Sequence, residues 1–220
     1  MNRKQIMTDL HFLMKDAAFP WAVCGGYALD LFLDKDTRLH GDLDLCVFEA
    51  HRDDVVRYMR TLGWNVYEFR GQGKVRPLTD HLSSDSGRNL MCFTDDCDLV
   101  AFYPCEEEGM LYHQFFHTGI KSLCYLEFLF CAEKDDRYVF DAQKGLSREL
   151  SKAILMREHT PCLAPEIALL YKASNADNND YQYDFEQTYP HLNDEQRMWF
   201  SNGLSVLYPN GHPWNANALS

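Results

Sequence analysis

The chain has 220 residues, 46% hydrophobic and 14% aromatic, which supports a packed core and one domain with at most a small appendage. Its 33 acidic residues outnumber 21 basic ones, for a net charge of −12; this argues against a general nucleic-acid binder, which needs a basic face to release phosphate counterions. No apolar run is long enough to span a membrane, and Met-Asn-Arg-Lys-Gln leads into an amphipathic segment rather than an apolar signal core, so the expectation is a cytoplasmic protein without a membrane partner.

Arg3 to Asp16 places Ile6, Leu10, Leu13 and Met14 at helical spacing. Trp21–Cys24 reads as a strand, Gly25-Gly26 as a turn, and Tyr27 to Leu33 as a helix. Leu43–Phe48 reads as the next strand, with Asp42 and Asp44 at its start. Side chains alternate along a strand, so Asp42 and Asp44 project together while Leu43 and Leu45 point the other way. Two such carboxylates repel unless a cation or a shared proton joins them. A hard divalent ion such as Mg²⁺, bridging to nucleotide phosphates, answers that repulsion. The glycines ahead allow phosphates close to the backbone, and the following helix offers free N–H groups. Other nucleotide and metal motifs are absent. No G-x-G-x-x-G follows a strand, and no Gly-Lys-Ser/Thr is present. An EF-hand is excluded because Leu45-Cys46-Val47-Phe48 stands where oxygen ligands are needed.

Arg52 to Leu62 is predicted as a helix stopped by Gly63, and Trp64–Phe69 as a strand. Gly71 to Ser86 reads as a loop, broken by Gly71, Gly73, Pro77 and three serines. Leu90–Phe93 and Leu99–Tyr103 are short strands around an Asp95-Asp96 turn. Cys124–Cys131 reads as a buried strand, nearly continuous in apolar residues and interrupted by Glu127. A carboxylate in such a strand is costly to bury without a partner. Glu133 to Asp136 then turns the chain into Arg137–Phe140 as a hairpin. Pro165 opens a helix at a first-turn position, Tyr181–Tyr189 forms a short one, and Asn193-Asp194-Glu195-Gln196 has the form of a capping box for a helix reaching Tyr208. The eight cysteines contain no Cys-x-x-Cys and no zinc-ligand spacing; they read as small buried hydrophobes of a reducing compartment.

The run Gly25, Gly26, Asp30, Thr37, Arg38, His40, Asp42, Asp44 resembles the nucleotidyltransferase superfamily, whose signature is a Gly-Gly or Gly-Ser turn followed by Asp-x-Asp. The closer resemblance is to its aminoglycoside and lincosamide nucleotidyltransferase branch. Leu163 to Glu166, Lys172, Asp184-Phe185 and His212 to Trp214 resemble the same branch toward the C-terminus. Only about 71–110 is not covered, and it reads as an insertion or a variable acceptor loop.

The resemblance implies an α+β nucleotidyltransferase fold: a small mixed sheet flanked by helices, with a catalytic domain at 1–150, a helical subdomain at 151–220 and the active cleft between them. It implies an enzyme that transfers a nucleoside monophosphate, AMP from ATP, to a hydroxyl of a small-molecule acceptor such as an aminoglycoside or lincosamide antibiotic. Asp42 and Asp44 would bind Mg²⁺, and Gly25 and Gly26 would hold the triphosphate. Arg38 and Lys172 are candidate phosphate contacts, the alternative for Lys172 being an interhelical pair with Asp184. His40 would orient a carboxylate or touch the nucleotide. The family's third carboxylate lies between hydrophobic residues on a neighbouring strand. Leu126-Glu127-Phe128 fits that pattern, and Asp98 is its competitor. Glu127 completes the metal site or acts as general base; the sequence leaves both open. Two other readings stand beside this one. The first is a non-catalytic or protein-modifying regulator of the same fold, antitoxin-like. The second is a nucleic-acid-modifying enzyme, against which the acidic balance argues.

Overall fold

The structure is a computed structural model that describes residues 1–79, 85, 87–116, 120–141 and 143–217. In chain order the elements begin with α1 (Arg3–Met14), β1 (Ala22–Val23), α2 (Gly25–Leu33), β2 (Asp44–Phe48) and α3 (Arg52–Thr61). Strands β3 (Asn65–Gly71), β4 (Lys74–Pro77), β5 (Leu90–Phe93), β6 (Val100–Pro104), β7 (Leu111–Phe115) and β8 (Tyr125–Lys134) follow. Then come β9 (Arg137–Asp141), β10 (Leu146–Glu149), α4 (Leu150–Ala153), β11 (Ile154–Arg157) and β12 (Thr160–Leu163). The chain closes with α5 (Pro165–Lys172), α6 (Asn179–Thr188), α7 (Asp194–Leu207) and α8 (Pro213–Asn217). Among the described residues no helix is long and apolar enough to cross a membrane. The residues gather into two compact units: Met1–Ala22 with Arg38–Cys131, and Val23–Thr37 with Ala132–Ser220.

The first unit is a mixed sheet carrying α1 and α3. Strand β2 runs parallel to β8, and β8 is antiparallel to β5. The order continues β5, β3, β4, β7, β6, each antiparallel to the next. One face is an apolar cluster built from Val75, Met91, Phe93, Leu99, Val100, Cys124 and Tyr125. Tyr67, Phe93 and Phe102 form a triangle of rings, with centroids 4.9, 4.8 and 5.0 Å apart. Each fully buried aliphatic or aromatic side chain stabilises the sheet by about 1.5–3 kcal/mol. Helix α3 buries Val55 and Met59, and Gly63 at φ +78° stops the chain just beyond it, as a left-handed residue after a helix does.

The segment predicted as a loop from Gly71 is corrected in its first part. Lys74–Pro77 is strand β4, paired with β3 in a hairpin. Gly71, Gln72 and Gly73 all take positive φ, so the glycines form the tight turn rather than a disordered break. Residues 80–84 and 86 of the predicted loop lie outside the described residues. Strand β7 has no counterpart in the sequence reading. Its Tyr-His-Gln core gives little alternation, and it exists by pairing with β4 and β6.

The second unit holds α2, α5, α6, α7 and α8 with short strands. Val23 pairs in parallel with Cys162 of β12, β12 is antiparallel to β11, and the end of β8 forms a hairpin with β9, which pairs with β10. The Asn193 side chain accepts from the Gln196 backbone and the Gln196 side chain from the Asn193 backbone, the reciprocal capping box anticipated for α7. Gly203 of α7 packs against Leu170 of α5 so closely that a Cβ there would sit 2.6 Å from a Leu170 methyl.

Candidate active site

Asp44 is the first residue of β2, and its registered neighbour on the parallel strand β8 is Glu127. The Glu127 backbone N–H donates to Leu43 O at 3.1 Å, which fixes the two strands at this level. Registered partners present their side chains on one face. Leu43 and Leu45 are fully buried toward the other face, so the alternation that buries them turns Asp44 to the Glu127 side. Asp42 lies two residues ahead of Asp44, before the strand begins, and is half-buried. On its other side Glu127 faces Met91 of β5, part of the apolar cluster.

Electrostatics report the same gathering. Burial, above all, pushes the Glu127 carboxyl up to about 7; the negative charge of Asp42 adds to the rise, and a hydrogen bond from Tyr125 opposes it. The Tyr125 hydroxyl donates to Glu127 Oε1 at 2.6 Å. Burial drives the Tyr125 hydroxyl far above the usual range for a tyrosine, and the charges of Glu127, Asp42 and Asp44 raise it further. The charges of Asp42 and Asp44 thus reach the Tyr125–Glu127 pair, and all four groups belong to one unit.

Asp98 is elsewhere. It sits in the turn before β6, mostly exposed, and pairs with Lys121 at 3.3 Å. His40 is buried, while Arg38 is half-buried and donates to Leu39 O at 3.2 Å.

In the second unit, Gly25 opens α2 with φ +62°, a left-handed conformation in which a side chain would be strained. Gly26 follows it, and the helix start has no side-chain cap hydrogen bond. Its first N–H groups are thus left to other acceptors. Asp30, buried in α2, accepts from the Thr37 backbone N–H at 3.1 Å and the Thr37 hydroxyl at 2.5 Å. Tyr183 of α6 donates to Thr37 O at 3.2 Å. Asp30 and Thr37 of the N-terminal motif therefore fasten the loop that leaves α2. Lys172 is buried with its Nζ 2.9 Å from Asp184 and over the Tyr181 ring at 4.3 Å. The terminal His212 and Trp214 are also built in. Trp214 is fully buried and stacks on Phe185 at 4.4 Å. His212 Nε2 donates to Ala173 O at 2.9 Å, which leaves Nδ1 to accept from the Trp214 backbone.

An all-oxygen carboxylate set suits a hard cation. Among the described residues no three His, Cys, Asp or Glu side chains stand together as a finished ligand set. A cation beside Asp42 and Asp44 would lower the Glu127 carboxyl that burial and Asp42 raise. The Tyr125 hydroxyl is the feature that the sequence reading missed. Its signal was the spacing Tyr-x-Glu, which puts both side chains on one strand face.

The mixed sheet flanked by helices is the fold of the solved structures that resemble this chain. Residues 6–90 match the family model described as aminoglycoside-2''-adenylyltransferase, which is less than half of the chain. The solution structure of the antibiotic-resistance factor ANT(2'')-Ia is similar at 14% identity, covering 96% of each chain with a TM-score of 0.56. The crystal structure of ANT(2'')-Ia in complex with adenylyl-2''-tobramycin is similar at 12% identity, covering 92% of this chain and 97% of that one, with a TM-score of 0.51. No curated protein matches the sequence.

Proposed function

We propose that this chain is a nucleotidyltransferase that moves the nucleoside monophosphate of ATP onto a hydroxyl of a small cationic acceptor of the aminoglycoside kind. The observation that carries the reading is the register of Asp44 against Glu127 with Asp42 alongside. The adenylyltransferase family match and the likeness to a structure bound to adenylyl-2''-tobramycin support the nucleotide and acceptor classes. The net charge of −12 favours an amine-bearing acceptor over a nucleic acid.

Asp42 and Asp44 would hold Mg²⁺, which when bound neutralises charge developing on the α-phosphate and the leaving pyrophosphate. Gly25, Gly26 and the start of α2 receive triphosphate oxygens on backbone N–H groups. Glu127 takes the proton of the acceptor hydroxyl as it attacks, since two protein carboxylates are enough for the ion. Arg38 and His40 precede the aspartates in sequence and would serve phosphate and carboxylate orientation. Lys172 acts through Asp184 on the architecture of the second unit.

The test is direct. Purified protein with Mg²⁺, ATP and tobramycin should release pyrophosphate and yield an adenylylated antibiotic by mass spectrometry, and Asp42→Asn should do neither. Calorimetry that finds no Mg²⁺-dependent ATP binding by the unaltered chain would sink the reading.

A further inference from the structure

We propose that Tyr125 is the positioning residue of this site, holding the Glu127 carboxylate in the orientation in which it accepts the proton of the attacking hydroxyl. The inference rests on the nucleotidyltransferase reading above and adds to it a residue outside the family signature.

Tyr125 and Glu127 are two residues apart on β8, so both side chains leave the same face of the sheet. The tyrosine ring is held from several sides. It is 2% exposed, belongs to the apolar cluster of the first unit, and meets Phe115 edge-on at 4.8 Å. Its backbone neighbour across the ladder is Phe93. A ring so confined cannot follow its partner, so the hydroxyl stands at a fixed point along the strand. From there it donates to Glu127 Oε1 at 2.6 Å.

Glu127 is half-buried and has three side-chain torsions, and its registered neighbours are an aspartate and a methionine. The repulsion of the aspartates works to swing such a carboxylate out of the patch. The short bond from Tyr125 opposes this: one carboxylate oxygen is occupied and the other is left for the substrate proton. Phenol and carboxylate thus divide the work. The first orients and stays protonated, and the second receives the proton.

The experiment is a double-mutant cycle on the full chain, read in two ways. The four proteins are the unaltered chain, Tyr125→Phe, Glu127→Ala and the double variant. Thermal melting needs no acceptor. Tyr125→Phe should lower the melting temperature by about 3–6 °C, the scale of one hydrogen bond to a charged group in a chain of this size. In the Glu127→Ala background the same substitution should cost clearly less. Equal costs in both backgrounds would overturn the proposal whatever the activity. The second reading is kinetic. Tyr125→Phe should lower kcat roughly ten- to a hundred-fold with the KM for ATP unchanged, and the double variant should be no slower than Glu127→Ala alone. An unchanged kcat in Tyr125→Phe, with Asp42→Asn inactive, would remove Tyr125 and leave the site standing. An Asp42→Asn enzyme as active as the unaltered chain would overturn the reading of the site itself, and the catalytic role of Tyr125 with it. The melting cycle would then still report the Tyr125–Glu127 bond.

Discussion

Buried charge is handled in two ways in this molecule. In the second unit two buried acids are neutralised in pairs, Asp184 by Lys172 at 2.9 Å and Glu166 by Arg148 at 2.7 Å. The buried Glu68 of the first unit is treated in the same manner, with Arg70 at 2.6 Å and Arg76 at 3.0 Å. Around Glu127 the pattern reverses. The groups that raise or anchor its carboxyl are a tyrosine hydroxyl and a second carboxylate. Those acids face basic side chains, whereas the Glu127 carboxyl is anchored by a phenol and raised by an acidic neighbour. On the proposed reading, such a patch would serve a bound cation and its phosphate chain.

The comparison is broken most severely at the aspartates. Asp42→Asn or Asp44→Asn should lower nucleotidyl transfer by roughly a thousand-fold, the several kcal/mol that a bound cation supplies to the transition state. The melting temperature should stay level or rise, because a like charge has gone. A stopped-flow or pyrophosphate assay beside a thermal melt reads both, and a large loss of stability would assign the aspartates to the architecture instead.

Glu127→Gln comes next. Removing a general base should cost about 10²–10⁴-fold in turnover, with ATP binding measured by calorimetry retained. If ATP binding disappears as well, Glu127 is a metal ligand and not the base.

Lys172→Met tests the opposite end of the comparison. Stripping one member from a buried pair should destabilise the protein by about 3–5 kcal/mol in urea melts, since Asp184 is left buried and charged. Adding Asp184→Leu should return much of that loss. A Lys172→Met protein of normal stability and weakened ATP affinity would give Lys172 to the phosphates.

The smallest effect belongs to Asp98. Its exposed contact with Lys121 should contribute within about 1 kcal/mol, and Asp98→Asn should keep full activity. An inactive Asp98→Asn enzyme would move the third carboxylate there.

Several of these features were readable from the chain alone because they are local. Gly25-Gly26 before a helix, alternating Leu and Asp at 42–45, the apolar run around Glu127 and the capping box at Asn193 each need only a few consecutive residues. The remainder depends on partners distant in sequence. β4 and β7 exist through their pairing, and Gly71 and Gly73 look alike in a loop and in a hairpin turn until the second strand is seen. Lys172 presents the same sequence signature whether it meets phosphate or Asp184. Tyr125 carries no signal beyond its spacing from Glu127, because its role is set by the aromatic cluster that confines it.

The parallel pairing of β2 with β8 has a consequence for the order of folding. Strands β3, β4, β5, β6 and β7 all lie between Asp44 and Glu127 in the chain. Closing so long a segment costs entropy that grows with the logarithm of its length, and it is repaid only when the intervening ladders are in place. Helices α1 and α3 can gain structure early from local contacts, whereas the acidic patch has no precursor. During refolding, helical signal should therefore return before the Asp44–Glu127 register forms, and on the proposed reading before any affinity for Mg²⁺ and ATP.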